Sequence, residues 1–258
     1  MAIHIRDIEK ELFRYLFYNK VATSLQISRD IWRDSISHQA LYKRLNLLIK
    51  GKYIEANYHK ELGGRLVYSL HSHALNGLGL VQSKLLRQQL KSANVLHDLT
   101  LNDIRHHLTR LDGVRKYYTE NSLRSGIELL DEESLLAFKK FNFDAIMKVQ
   151  RQNEFVYLPI EFERSLKFDS RYRQYFKKLY SETQIKAILF VAQTKKILEH
   201  VQCLERKSKQ NCWPKTFYLL VDELLNSPNS VSFVNLNQER FTFKRLQGLS
   251  SLQPQALS

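Results

Sequence analysis

Apolar residues recur at helical spacing near the start of the chain. Ile8, Leu12, Tyr15, Leu16 and Tyr18 predict a helix over Asp7–Asn19 with Asp7 as its N-cap. A short second helix is expected near Thr23–Ile27. A third runs from Ser37 to Gly51, its stripe formed by Ala40, Leu41, Leu45, Leu48 and Ile49. Tyr53–Tyr58 and Arg65–Leu70 then read as two strands closed by a turn containing Gly63–Gly64. Residues 71–93 suit a connecting helix or linker, and Leu101, Ile104, Leu108 and Leu111 mark a helix over about Leu99–Leu111. Further on, the pattern alternates. Strand signals fall at Asn142–Val149, Phe155–Glu163, Ala187–Ala192, Phe217–Val221 and, more weakly, Val231–Leu236, with helices near Ser170–Ser181 and Lys195–Lys207. Helices packed on a mixed sheet account for this order.

At 258 residues with 43% apolar side chains, the chain can bury a real core. The absence of any apolar run of about eighteen residues argues against a membrane span. Charge near the N-terminus argues against a signal peptide, and a cytoplasmic location is expected. Two cysteines are too few for a disulfide framework. The net charge of +14 changes the picture most. Residues 1–93 hold 15 Lys/Arg against 7 Asp/Glu (+8), and residues 94–258 hold 25 against 19 (+6). Both halves are suited to a polyanion through counterion release, and no single amphipathic helix concentrates the lysines as a membrane surface would require.

Helix, short helix, helix, hairpin is the order of a winged helix-turn-helix, with residues 37–50 as the recognition helix. The run LYKRLNLLIKGKYIE resembles the end of that helix and the start of the wing in bacterial winged-helix domains. Lys43, Arg44 and Lys50 lie off the apolar stripe, while Lys52, Lys60 and Arg65 on the wing are placed for flanking phosphates. The alternative use of such a domain is protein contact; the charge favours DNA.

The chemistry-bearing stretch is FNFDAIMKVQRQNEFVYLPIEFERS, residues 141–165. If Gln152–Asn153 form a two-residue hairpin loop, paired positions sum to 305 and Asp144 stands opposite Glu161. Opposed residues share a face, so Asp144, Glu161 and Glu163 fall together while Val156, Leu158, Ile160 and Phe162 fill the other side. Such a patch repels itself by a few kcal/mol at an effective dielectric of about 20 unless a positive group intervenes. Lysine or arginine could supply it, or the acids could face water on an edge hairpin. A divalent Mg²⁺ or Mn²⁺ is the sharper expectation, since both take oxygen ligands and promote phosphodiester cleavage.

Asp on one strand, a hairpin, and Glu-x-Glu on the next resemble the PD-(D/E)xK restriction-endonuclease-like nucleases, with SRYRQYFKKLY and KAILFVAQT following in that core's order. Together with the N-terminal segment, the chain resembles the replication-relaxation group, particularly the MobC-type (MOBC class) plasmid mobilisation relaxases. The resemblance implies an α+β protein: a winged helix-turn-helix over 1–75, a connecting helix or linker over 76–93, a nuclease-like mixed sheet flanked by helices over 94–245, and a tail over 246–258. It further implies Asp144, Glu161 and Glu163 as metal-binding acids, Glu120 as the acid of the first core helix, and strand-specific nicking at an origin of transfer. An accessory mobilisation protein and a coupling protein are the implied partners.

The third motif position holds Glu163 where the family has lysine. Arg164 and Lys167 lie close by, and Lys177 and Lys178 on the next helix are candidates for a migrated lysine. A core without cleavage activity, serving a DNA-binding regulator, is the alternative; a nuclease making double-strand breaks is a third reading. His71-Ser-His73, His106-His107 and His97-Asp98 lack the partners that metal or nucleophile chemistry requires. Tyr172, Phe176 and Leu179 read as a buried stripe.

Overall fold

The computed structural model describes residues 3–78, 90–125, 141–151, 154–209, 212–227 and 229–245. It is a mixed α+β chain that divides into two compact units, Met1–Asp103 with Arg124–Ile127, and Ile104–Leu123 with Glu128–Ser258. No described helix is long and apolar enough to cross a membrane. The expected linker falls largely, and the expected tail wholly, outside the described residues.

In the first unit, α1 (Asp7–Asn19), β1 (Val21–Thr23), α2 (Ser24–Ile27) and α3 (His38–Lys50) precede β2 (Ile54–His59), β3 (Arg65–Leu70) and a single turn, α4 (Ala74–Gly77). The N-cap of α1 is Arg6, not Asp7, because the Glu9 side chain reaches back to the Arg6 amide at 2.5 Å. Thr23 and Gln26 form a reciprocal cap on α2, and the chain continues as a wide turn over Ser28–Trp32. Along α3, Leu41, Leu45 and Leu48 are buried, whereas Ala40 is exposed and Ile49 half-buried. The hairpin pairs Ile54 with Leu70 through His59 with Arg65, and β1 adds to β3. Gly63 and Gly64 close it at φ 66° and 76°, where open space surrounds both, so the backbone sign alone selects glycine. Leu12, Phe13, Leu16 and Phe17 of α1 pack with α3 and Tyr68 in this unit's core.

A longer helix, α5 (Val95–Leu108), starts and ends a few residues earlier than its periodicity predicts, and the division between units falls inside it. The second unit continues with β4 (Val114–Thr119), α6 (Glu120–Ser125), β5 (Ala145–Arg151) and β6 (Glu154–Glu163). It then runs through α7 (Asp169–Ser181), β7 (Ile188–Ala192), α8 (Lys195–Ser208), β8 (Thr216–Leu220), α9 (Val221–Asn226), β9 (Ser230–Val234) and β10 (Arg240–Lys244). The seven strands run β10-β9-β8-β7-β6-β5-β4, with β6, β7 and β8 mutually parallel and the other neighbours antiparallel. Parallel neighbours require crossovers, here α7 and α8. Both helices share one core with Ile146, Phe190 and Tyr218, so they cover the same face. On the opposite face Met147, Leu158, Ile160, Leu189 and Val191 are buried too, which makes this a two-sided sheet.

Candidate active site

The β5–β6 ladder pairs Ala145 with Ile160 through Arg151 with Glu154, so every pair sums to 305 as the hairpin arithmetic requires. The loop residues themselves lie outside the described set. One step beyond the last pair, Asp144 stands abreast of Glu161. The β4–β5 ladder ends at Thr119–Ala145, which brings Glu120 abreast of Asp144; its amide donates to the Asp144 carbonyl at 2.9 Å. Glu161 is in turn registered with Phe190 of β7, and Phe190 with Tyr218 of β8. Glu120, Asp144 and Glu161 therefore stand abreast at three neighbouring strand ends, with Asp144 and Glu161 on the face that α7 and α8 cover.

All three acids are half-buried. The Asp144 carboxylate extends the ladder by one bond, its Oδ2 accepting from the Phe162 amide at 2.8 Å. Above the row stands Tyr175 of α7. Its hydroxyl is buried and meets no hydrogen-bond partner among the described residues. Burial first, then the negative charges of Glu161, Asp144, Glu205 and Glu163, push its pKa well above 10. A buried hydroxyl costs about 1–3 kcal/mol unless water or another polar group meets it.

Glu163 departs from the expected set. It is 3% exposed, and its Oε2 pairs with Lys167 Nζ at 2.8 Å, while the Tyr172 hydroxyl accepts from the Lys167 amide at 3.1 Å. Burial, with Glu163 and Glu161 adding to it, raises the Tyr172 pKa. Among the described residues, no three His, Cys, Asp or Glu side chains are grouped to hold a metal. Neither Asp144, Glu161 and Glu163 nor the row Glu120, Asp144 and Glu161 is gathered into such a three-acid group, and Glu163 pairs with Lys167. The pair Asp144 and Glu161, with the Tyr175 hydroxyl beside them, fits a different arrangement. Mg²⁺ is commonly held by one or two carboxylates and completes its shell with water and substrate phosphate.

Among the candidate lysines, Lys167 pairs with Glu163. Lys178 lies 4.3 Å above the Phe141 ring, which itself meets Tyr175 at 6.2 Å. Lys177 occupies the exposed side of α7. Tyr172, Phe176 and Leu179 form the buried stripe that their spacing predicts.

A second buried acid was not evident in the sequence. Glu205 of α8 accepts from Tyr180 at 2.6 Å and from Tyr218 at 2.7 Å. Burial raises its pKa despite those donors.

In the first unit, Lys43, Lys50, Lys52, Lys60 and Arg65 are exposed. Arg44 is not available in that way. Its Nε meets the fully buried Glu9 at 2.5 Å and its Nη2 donates to the His4 carbonyl at 2.8 Å. Burial alone would raise the Glu9 carboxyl, but Arg44 and Arg6 outweigh it and hold the pKa below the usual value. Tyr58, 76% exposed, and Tyr42 stand out beside these cations. The histidines have local partners: His71 takes the His73 amide, His106 meets Arg110, and His107 meets Arg245 at 2.9 Å.

Comparison with protein-family models, curated proteins and solved structures yields no match to this chain.

Proposed function

We propose that the chain is a metal-dependent DNA nickase of the plasmid mobilisation relaxase type. The observation that carries this reading is the row of acids Glu120, Asp144 and Glu161 at three adjacent strand ends, beside the Tyr175 hydroxyl, which has no partner among the described residues, and flanked by the Glu163–Lys167 pair. Asp144 and Glu161 would hold a Mg²⁺ or Mn²⁺, and the chemistry such an ion would supply is positive charge toward phosphate oxygens and a lowered pKa for bound water. Glu163 and the Tyr172 hydroxyl position the segment carrying Lys167, whose ammonium offsets charge developing on the cleaved strand. The fourfold order helix, short helix, helix, hairpin serves as a winged helix, with exposed Lys43, Lys50, Lys52, Lys60 and Arg65 on phosphates and Arg44 kept for the fold. The transfer-origin target, the accessory mobilisation protein and the coupling protein rest on the sequence resemblance.

The Glu163–Lys167 pair also favours a second reading, a DNA-binding regulator whose core no longer cleaves, since the lysine is neutralised where a nuclease would present it to the phosphate. Relaxation of a supercoiled plasmid carrying the cognate transfer region separates the two. Open circle formed with Mg²⁺ or Mn²⁺, absent with EDTA and absent for Asp144→Ala and Glu161→Ala, is the expected result. Tight site-specific binding without cleavage, undisturbed by either substitution, would establish the regulator; linear product would indicate a double-strand nuclease.

A further inference from the structure

The segment joining the acidic row to α7, Arg164-Ser-Leu-Lys-Phe168, contains a side chain that neither packing nor capping explains. Phe168 is 87% exposed, the most exposed large apolar residue among those described, and Leu166 two positions earlier is 41% exposed. Phe168 occupies the N-cap of α7 with extended backbone and no side-chain cap bond. Ser, Thr, Asp or Asn would serve that position better by about 1 kcal/mol, and burying a phenylalanine is worth about 2 kcal/mol that is forgone here. The residue next to it is Lys167, whose ammonium lies 2.8 Å from Glu163. From Arg164 to Lys178 the chain carries six basic residues, Arg164, Lys167, Arg171, Arg173, Lys177 and Lys178, against one acid, Asp169. Asp169 is itself met by His200 at 2.9 Å.

We infer that Phe168, supported by Leu166, is a stacking platform for an unpaired nucleobase, and that the basic residues around it track the phosphates of a single strand leading to the acidic row. An exposed ring set in a positively charged surface matches the two contacts that single strands offer, a base face and a phosphate chain. A duplex keeps its base faces stacked inside, so the platform selects melted or single-stranded DNA. This rests on the nickase reading for the placing of the strand but not for its detection, because binding can be read without cleavage.

The test uses the full chain in EDTA with a fluorescein-labelled 20-nucleotide single strand and the matching duplex. Phe168→Ala is expected to weaken single-strand binding roughly five- to hundred-fold, the range that loss of one base–aromatic stack produces. Duplex binding should change less than about two-fold, since the exposed wing residues are untouched. Phe168→Trp should keep the single-strand affinity, and its added indole emission should be quenched when the strand binds. Unchanged single-strand binding by Phe168→Ala, no single-strand binding by the unmodified chain, or a parallel loss on single strand and duplex would each overturn the inference. Loss of single-strand binding by a chain that never nicks plasmid would leave the platform standing and remove the nickase.

Discussion

Two groups of buried or half-buried charge in this protein are built on opposite plans. In the N-terminal unit a single carboxylate, Glu9, is fully buried and saturated by Arg6 and Arg44, and its pKa falls below the ordinary carboxylate range. In the C-terminal sheet, Glu120, Asp144 and Glu161 line up at adjacent strand ends beneath a tyrosine hydroxyl with no partner among the described residues. The first arrangement neutralises its charge internally and needs nothing more. The second sets acids side by side beneath a buried hydroxyl that has no hydrogen-bond partner among the described residues, and it is this arrangement that the proposed metal-dependent chemistry would use.

The largest effect that would break this contrast lies at the acidic row. Asp144→Ala and Glu161→Ala are each expected to lower plasmid nicking by on the order of 10³-fold, since metal-ion stabilisation of the transition state is worth several kcal/mol. Asp144→Ala should also lower unfolding stability by about 1–3 kcal/mol, because the buried Phe162 amide loses its acceptor. Next comes Arg44→Ala, which leaves Glu9 buried with Arg6 as its remaining partner. Unfolding free energy should fall by about 3 kcal/mol, while the double replacement Glu9→Leu with Arg44→Leu should recover most of it. If the single variant unfolds no more easily than the unmodified chain, Arg44 is not committed to the fold and returns to the candidate DNA contacts.

Much of this was legible in the sequence because it rests on periodicity. The helix over Asp7–Asn19, the stripe Tyr172–Phe176–Leu179 and the 305 register each follow from local spacing. What escaped depends on tertiary partners. Arg44 lies off the apolar stripe of its helix, as a DNA-contacting residue would, and only the fold brings Glu9 to it. Lys167 was one of several lysines near the acids, and no spacing rule distinguishes the one that folds back onto Glu163. Phe168 is four residues before Tyr172 and fits the same helical stripe on paper. The helix starts one residue too late for that, so the ring points away from the core. Strands β1, β4 and β10 (Arg240–Lys244) were missed: Val21–Thr23 is too short for alternation to register, and Val114–Thr119 mixes basic and aromatic residues on a face that is only partly buried.

Two smaller effects sharpen the comparison between saturated and unsaturated groups. Tyr175→Phe removes the unpaired hydroxyl, so in EDTA the protein should gain about 1–2 kcal/mol in urea unfolding, a gain that disappears if Mg²⁺ or water already pairs with it. Glu205 is a saturated acid whose burial still raises its pKa from 4.5. Its folded form holds the proton more tightly than its unfolded form, so stability decreases as pH rises from about 4.5 through the raised value. Glu205→Gln should flatten that slope. A slope unchanged by the substitution would mean that the two tyrosine donors fully offset burial.

The smallest expected effect concerns cations that have been left exposed. Lys60 and Arg65 sit at the tip of the β2–β3 hairpin, in solvent, where Arg44 is held inside. A lysine that meets a phosphate releases one condensed counterion, so each lost contact should reduce the slope of log affinity against log salt for duplex DNA by about 0.9. Lys60→Ala with Arg65→Ala is therefore expected to lower the slope by about 1.8, without altering preference among duplex sequences, because phosphate contacts carry none. The Glu9→Leu, Arg44→Leu chain is a comparison at unchanged net charge: it removes one arginine with its glutamate, and its salt slope should equal that of the unmodified protein. A reduced slope in the Glu9→Leu, Arg44→Leu chain as well would show that Arg44 also meets a phosphate and is not reserved for the fold. A reduction in the hairpin variant alone places phosphate contact where the fold left its cations unpaired.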